Sequence, residues 1–373
     1  MRVRYTPDVF RFQRAGGVSR YFVELSKGLQ ELGVDARIIA GLHLNDLVAD
    51  APRSLGLDVG RFGPPRARQA LTKAVDYAVT GGVAGLLGRG DVLHPTWYPP
   101  GLERLPRRAH LVTTVFDMIP ERFPHLSVRS ADVTRRKRAW VEASDHVLVI
   151  SEHTRRDLVE LFGVDPAKIT VTPLGVTVAD PLPPTAAPAL ERSPFLLYVG
   201  DRATPYKNFE RLLDALGSDR IDTDLRLVCV GPAPRSESEQ ATLVARRLES
   251  RVEFVSGSDG NLAWLYSRAE ALVYPSIYEG FGLPPLEAMT CGCPVIASDA
   301  ASIPEVVGDA AVLFDPDDTD ALVAAIDGVV SDRRRREELV ARGLSRAAGF
   351  TWRATVERTL DVYRSMANGM SRA

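Results

Sequence analysis

At 373 residues the chain exceeds the length at which a single hydrophobic core usually keeps growing, so two domains are expected. Its 46 basic and 48 acidic residues leave a formal net charge of -2, which argues against an overall field for nucleic acid; three cysteines without framework spacing argue against a disulfide scaffold. No apolar signal region opens the chain and no run reaches membrane-spanning length, which reads as a protein kept in a reducing cytoplasm.

Residues 5–12 mix apolar and polar side chains and predict the first strand and its exit loop, ahead of Arg14-Ala15-Gly16-Gly17. Val18, Tyr21, Phe22, Leu25, Leu29 and Leu32 then form one helical stripe closed by Gly33, which puts Gly16 and Gly17 at a strand-to-helix turn. Such a turn suits a phosphate, though a glycine pair fits a ligand-free turn equally well. Residues 36–40 predict the second strand, 46–69 a loop-rich region, and about 66–79 a helix bearing Arg66, Arg68 and Lys73. Asp91-Val92-Leu93-His94-Pro95 predicts a short strand delivering His94. Thr96-Trp97-Tyr98-Pro99-Pro100 follows as an aromatic, proline-fixed loop that can face a sugar or simply cover the sheet end. Residues 111–116 predict a buried strand with Asp117 at its carboxyl end, serving a substrate or capping a turn. Arg135-Arg136-Lys137-Arg138 falls in a helix over about 130–143 anchored by Val133, Ala139 and Trp140; the basic run reads as a solvated face or as a contact with anionic lipid. Strands at 146–150 and 168–171, with Ser151 capping and Gly163 closing the helix between them, complete the first half.

Pro181, Pro183, Pro184, Pro188 and Pro194 mark residues 179–194 as an exposed linker. Strand 195–200 leads through Asp201-Arg202-Ala203-Thr204-Pro205-Tyr206-Lys207-Asn208 into a helix carrying Phe209, Leu212, Leu213 and Leu216. A helix N-terminus favours anions, so Arg202 and Lys207 beside one point to an anion between them; two solvated cations are the alternative. Strands at 225–230 and 252–255, with helices to Leu248 and through Leu262, Trp264, Leu265 and Tyr266, continue a doubly wound α/β pattern. Asp222-Thr223-Asp224, Asp315-Pro316-Asp317 and Asp318-Thr319-Asp320 match a short metal-binding pattern but fall where turns and caps use Asp. Cys291-Gly292-Cys293 lacks a second ligand pair of zinc-like spacing, so no metal site is expected.

The most informative stretch is Ser276-Ile277-Tyr278-Glu279-Gly280-Phe281-Gly282-Leu283-Pro284-Pro285-Leu286-Glu287-Ala288-Met289. The apolar strand 271–274 ends at Pro275, so Glu279 stands at a strand's carboxyl end. Gly280 and Gly282 let the backbone approach a ligand, and Pro284 and Pro285 suit the first turn of a short helix that holds Glu287. Loop and helix N-terminus suit a diphosphate, and the two glutamates can accept hydrogen bonds from sugar hydroxyls. Solvent-facing acids are the alternative, but Glu287 sits in an otherwise apolar helix between two buried strands, where an unpaired charge is costly.

The ungapped run Glu279-Gly280-Phe281-Gly282-Leu283-Pro284-Pro285-Leu286-Glu287-Ala288 resembles the paired-glutamate motif, E-x7-E, of the family 4 retaining glycosyltransferases. The resemblance implies an α/β GT-B fold, with two doubly wound Rossmann-like domains, 1–178 and 195–350, facing across a cleft. A linker at 179–194 would join them, and a helix at 351–373 would cross back to the first. It also implies roles: Arg202 and Lys207 on the donor diphosphate, Glu279 with the amides of Phe281 and Gly282 on the donor sugar, and Glu287 on the ribose. Gly280 and Leu283 would complete the donor loop, Ser256 and Gly257 would meet the base, and Gly16 and Gly17 would lie opposite the diphosphate. His94 and Asp117 become candidates for contact with the acceptor hydroxyl. Many relatives carry a histidine before this aspartate; this chain has Phe116, so a base role at that position does not transfer. The implied reaction moves a hexose from a nucleotide diphosphate sugar to a saccharide, lipid-linked or small-molecule acceptor with retention, without cofactor or essential metal and without nucleic acid. Peripheral contact at the inner face of the membrane is left open. GDP-mannose and a surface polysaccharide precursor are the first choices of substrate, by likeness to bacterial polysaccharide mannosyltransferases. A catalytically silent nucleotide-sugar binder, and a GT-B phosphorylase or epimerase, are the rival readings.

Overall fold

Strands that are apolar on both faces require cover on both sides, which parallel sheets obtain from their crossover helices. The computed structural model describes all residues except 59–74, 76–77, 79, 100–107, 127–128, 182–189, 191–192, 232–234, 256–258 and 370–373. Its first sheet comprises β1 (Arg2–Tyr5), β2 (Asp35–His43), β3 (Leu55–Asp58), β4 (Val92–His94), β5 (His110–Val115), β6 (His146–Val149) and β7 (Ile169–Val171). These lie in the order β3-β2-β1-β4-β5-β6-β7, every pairing parallel. The second comprises β8 (Phe195–Val199), β9 (Arg226–Val230), β10 (Val252–Val255), β11 (Ala271–Tyr274), β12 (Val295–Ser298) and β13 (Val312–Phe314). Its order is β10-β9-β8-β11-β12-β13, again wholly parallel. Each order reverses beside the sheet's own first strand, between β1 and β4 and between β8 and β11. Crossovers leave such a point on opposite faces, and ligands bind in the crevice outside the strands' carboxyl ends.

The chain divides into two compact units, Met1–Gly175 with Trp352–Ala373, and Val176–Thr351. The last helix, Trp352–Ala367, thus belongs to the first unit, where it buries Val356, Leu360 and Tyr363. Val356 lies so close to the helix Gly17–Glu31 that a Cβ on Gly28 would meet its Cγ2 at 2.6 Å. In the second unit Leu196, Leu227, Val273 and Ile296 from the strands close on Leu212, Leu213, Leu322 and Ile326 from the helices.

Several expectations are corrected. The first strand begins at Arg2, and residues 8–12, expected as an exit loop, form the helix Asp8–Phe12. Leu32 leaves the apolar stripe and is exposed, because the helix has ended by then. In the helix Ser130–Ala143 the buried anchors are Trp140, Val141 and Lys137, while Val133 and Ala139 are half-buried. The basic run is not a free cationic face: Lys137 is buried, Arg135 and Arg136 pair with Asp132, and Arg138 donates to the carbonyls of Leu161 and Phe162. Leu190, within the expected linker, is buried; Arg66, Arg68, Lys73 and most of the linker prolines lie outside the described residues. The three acidic patterns do behave as turns, with Asp222, Asp315 and Asp318 each accepting a nearby backbone amide. Among the described residues no helix is long and apolar enough to cross a membrane.

Candidate active site

The switch point of the second sheet sets Lys207 and Glu279 together. β8 exits into a 3-10 turn, Pro205–Lys207, and Asn208 takes the left-handed conformation (φ 55°) that aims the next helix, Phe209–Leu216, away from the sheet. β11 exits through Pro275 to Glu279, and the Ile277 amide donates to the Tyr206 carbonyl at 2.8 Å, tying the two exits. Lys207 Nζ then lies 2.6 Å from Glu279 Oε1 and 5.6 Å from the centre of the Tyr274 ring. Glu279 is buried, so this ion pair sits in a low dielectric rather than in bulk water.

The mouth beside it is held by backbone geometry. Gly282 has φ 108°, which side chains disfavour, and it caps the helix Leu283–Thr290 without a side-chain partner. Ser302 Oγ lies 2.9 Å from the carbonyls of both Glu279 and Phe281, fixing the loop from behind. Pro284 and Pro285 carry no amide hydrogen, so of the four positions whose amides a helix start leaves free only Gly282 and Leu283 have one to offer an anion. That is fewer than a helix N-terminus ordinarily presents, and it throws more of an anion's charge onto Lys207. Glu287 stands one turn further on, where its Oε2 accepts from the Tyr266 hydroxyl at 3.1 Å. Burial and the neighbouring carboxylate hold the Tyr266 phenol well above its usual range, so it stays a donor.

Arg202 is placed otherwise than expected. Its Nε donates to Glu239 Oε1 at 2.7 Å, its guanidinium lies 4.6 Å from the centre of the Phe254 ring, and its side chain is only 3% exposed. It passes so close to Gly231 that a Cβ there would meet its Nη1 at 2.8 Å. The expected anion-facing pair is thus divided, with Lys207 on Glu279 and Arg202 on Glu239. Glu239 was not foreseen as a partner, although its capping box with Ser236 is a local signal that starts its helix. Ser256 and Gly257 lie outside the described residues.

In the first unit Gly16 caps the helix Gly17–Glu31 in an extended conformation. The Gln13 side chain accepts the Ser19 amide at 2.9 Å, taking one of the donors a phosphate would use. Asp117 stands at the end of β5 with Oδ1 accepting the Ile119 amide at 3.0 Å, so it does cap a turn, and it remains half-buried. The expectation that His94 meets an acceptor is corrected. Its ring is fully buried, with Nδ1 2.6 Å from the Tyr363 hydroxyl and Nε2 2.8 Å from Thr114 Oγ1. Burial lowers its pKa to about 3, so it is a neutral structural link between β4 and the last helix. Phe116 packs edge-on against Tyr21 at 5.3 Å, an apolar contact beside Asp117. Tyr98 is buried under the sheet end, its hydroxyl 3.3 Å from the Thr114 carbonyl. Among the described residues no group of three or more His, Cys, Asp or Glu is arranged to hold a metal ion.

Two parallel doubly wound sheets, one with a cation–carboxylate pair and a glycine-lined mouth at its switch point, are the architecture of a GT-B glycosyltransferase. Residues 15–180 match the family model described as Glycosyltransferase Family 4, and residues 184–346 the one described as glycosyl transferases group 1. The chain is 32% identical over 344 residues to O-antigen chain mannosyltransferase B of Escherichia coli, covering 88% of this chain and 83% of that protein. It is 28% identical to the MMP alpha-(1->4)-mannosyltransferase of Mycolicibacterium hassiacum, over 93% of this chain and 94% of that one. Sucrose-phosphate synthase from Thermosynechococcus elongatus shares the fold, with a TM-score of 0.78 at 22% identity over 98% of this chain and 99% of that chain. The chain belongs to glycosyltransferase family 4 and is a glycosyltransferase.

Proposed function

We propose that this enzyme transfers mannose from GDP-mannose to a saccharide hydroxyl with retention, in the assembly of a surface polysaccharide. The Lys207–Glu279 pair at the β8–β11 switch point carries the reading, and the mannosyl transfer named for two relatives over most of their length supports the choice of sugar. Without donor the two groups neutralise each other. With donor, Lys207 turns to the diphosphate and Glu279 to the sugar hydroxyls, while Glu287 receives the ribose. The C1–O bond to the diphosphate breaks as the acceptor oxygen bonds to C1 on the same face, and the acceptor proton passes to the departing phosphate oxygen. Lys207 and the Leu283 amide stabilise the charge that grows there, with no essential metal in the scheme. Asp117 orients the acceptor hydroxyl, a role left to it by the apolar Phe116 and the buried His94.

Melting in the presence of GDP, UDP, ADP and their sugars tests the donor assignment, because a ligand selective for the folded state raises its stability by about 2.7 kcal/mol at a hundredfold excess over Kd. GDP and GDP-mannose are expected to give the largest rise. A larger rise with UDP reassigns the donor, and no rise with any of them overturns the site.

A further inference from the structure

Beneath the Asp117 loop lies a buried ion pair that the described chemistry does not use. Lys137 Nζ is 2.7 Å from Glu121 Oε2, with the two side chains 3% and 4% exposed. Such a pair is weak evidence for stability, because desolvating both charges offsets most of their attraction. Here the offset is greater still, since Glu121 Oε1 is buried without a hydrogen-bond partner among the described residues. What distinguishes the pair is its third contact: Lys137 Nζ donates to the Asp117 backbone carbonyl at 2.8 Å. It also lies 3.9 Å from Met118 Sδ and 6.0 Å from the centre of the Tyr98 ring, so the loops leaving β4 and β5 both close on one ammonium group. Glu121 belongs to the short helix Ile119–Arg122, whose first amide is the one Asp117 Oδ1 accepts. Backbone and carboxylate of Asp117 are thus fixed from opposite ends of the same turn.

We propose that Lys137 and Glu121 are positioning residues that hold Asp117 against the acceptor, an inference that rests on the acceptor-side reading of Asp117. Neither touches substrate. An ammonium is needed because it bridges a carboxylate and a carbonyl at once, which no apolar side chain of similar length can do.

The test compares Lys137→Met, the double variant Lys137→Met with Glu121→Leu, and Asp117→Asn, using GDP-mannose and octyl α-mannoside. The single variant leaves a buried unpaired carboxylate and is expected to melt lower; the double variant removes both charges and recovers most of that loss. In the double variant, amide exchange over residues 118–123 is expected to quicken about tenfold or more, a local effect readable without any substrate. Its KM for octyl α-mannoside should rise about tenfold, with the KM for GDP-mannose unchanged, as a misplaced orienting group predicts. A double variant with wild-type exchange and wild-type acceptor KM, alongside an impaired Asp117→Asn, overturns this inference alone. An Asp117→Asn variant with wild-type acceptor KM overturns the acceptor-side reading and this inference with it.

Discussion

Lys207→Ala is expected to lower kcat by about 10²–10³, the range seen when one preorganised donor to a developing negative charge is removed. Two physical effects combine in it. The variant loses the cation proposed to face the leaving diphosphate, and it strands Glu279, whose carboxylate stands 2.6 Å from that cation in a buried site, without its cationic partner. The prolines at the start of the neighbouring helix make the loss harder to absorb, since few amides remain to take the charge. The two effects separate in the double variant Lys207→Ala with Glu279→Gln. Removing the stranded charge should restore much of the GDP affinity while kcat stays low, measured by calorimetric titration and steady-state turnover. Equal recovery of both would show that Lys207 acts only by neutralising Glu279.

Glu287→Ala should abolish measurable turnover while the protein stays folded. The structural loss includes the acceptor of the buried Tyr266 hydroxyl, a 3.1 Å bond whose removal costs about 1 kcal/mol. That lowers the melting of the unit Val176–Thr351 by about 2–4 °C. The functional loss is larger on the proposed reading, in which the Glu287 carboxylate receives the ribose hydroxyls and so orients the whole donor. Glu287→Gln keeps an oxygen for Tyr266 and should melt like the wild type, yet raise the KM for GDP-mannose by about tenfold through the lost charge-assisted bonds. Wild-type turnover in Glu287→Ala would sink the assigned site.

The elements that place these residues were legible because their signals are local. An apolar strand, a proline stop, two glycines and a proline-led helix lie within about twenty consecutive positions around Glu279, and period and punctuation suffice to place them. The doubly wound α/β pattern of the second half was readable for the same reason. What failed to show was pairing over distance. Nothing near Arg202 announces that Glu239 will take its guanidinium, and nothing in a run of four basic residues tells Lys137 from its exposed neighbour Arg135. The helix packing that buries one and not the other is tertiary. His94 misled for a related reason: the end of a parallel strand is a good place for a functional group, but the last helix, arriving from 269 residues along the chain, closes over this one through Tyr363. The helix at Asp8–Phe12 was missed because five residues are too few to show a period.

Retaining transfer of mannose without a metal is read from the reaction itself. The enzyme would be incubated with GDP-mannose and octyl α-mannoside in excess EDTA, and the product's anomeric proton read by NMR. An α-linked dimannoside, formed at the same rate with and without EDTA, is the predicted result. A β-linked product, a rate that collapses in EDTA, or GDP-mannose left unconsumed would contradict the account.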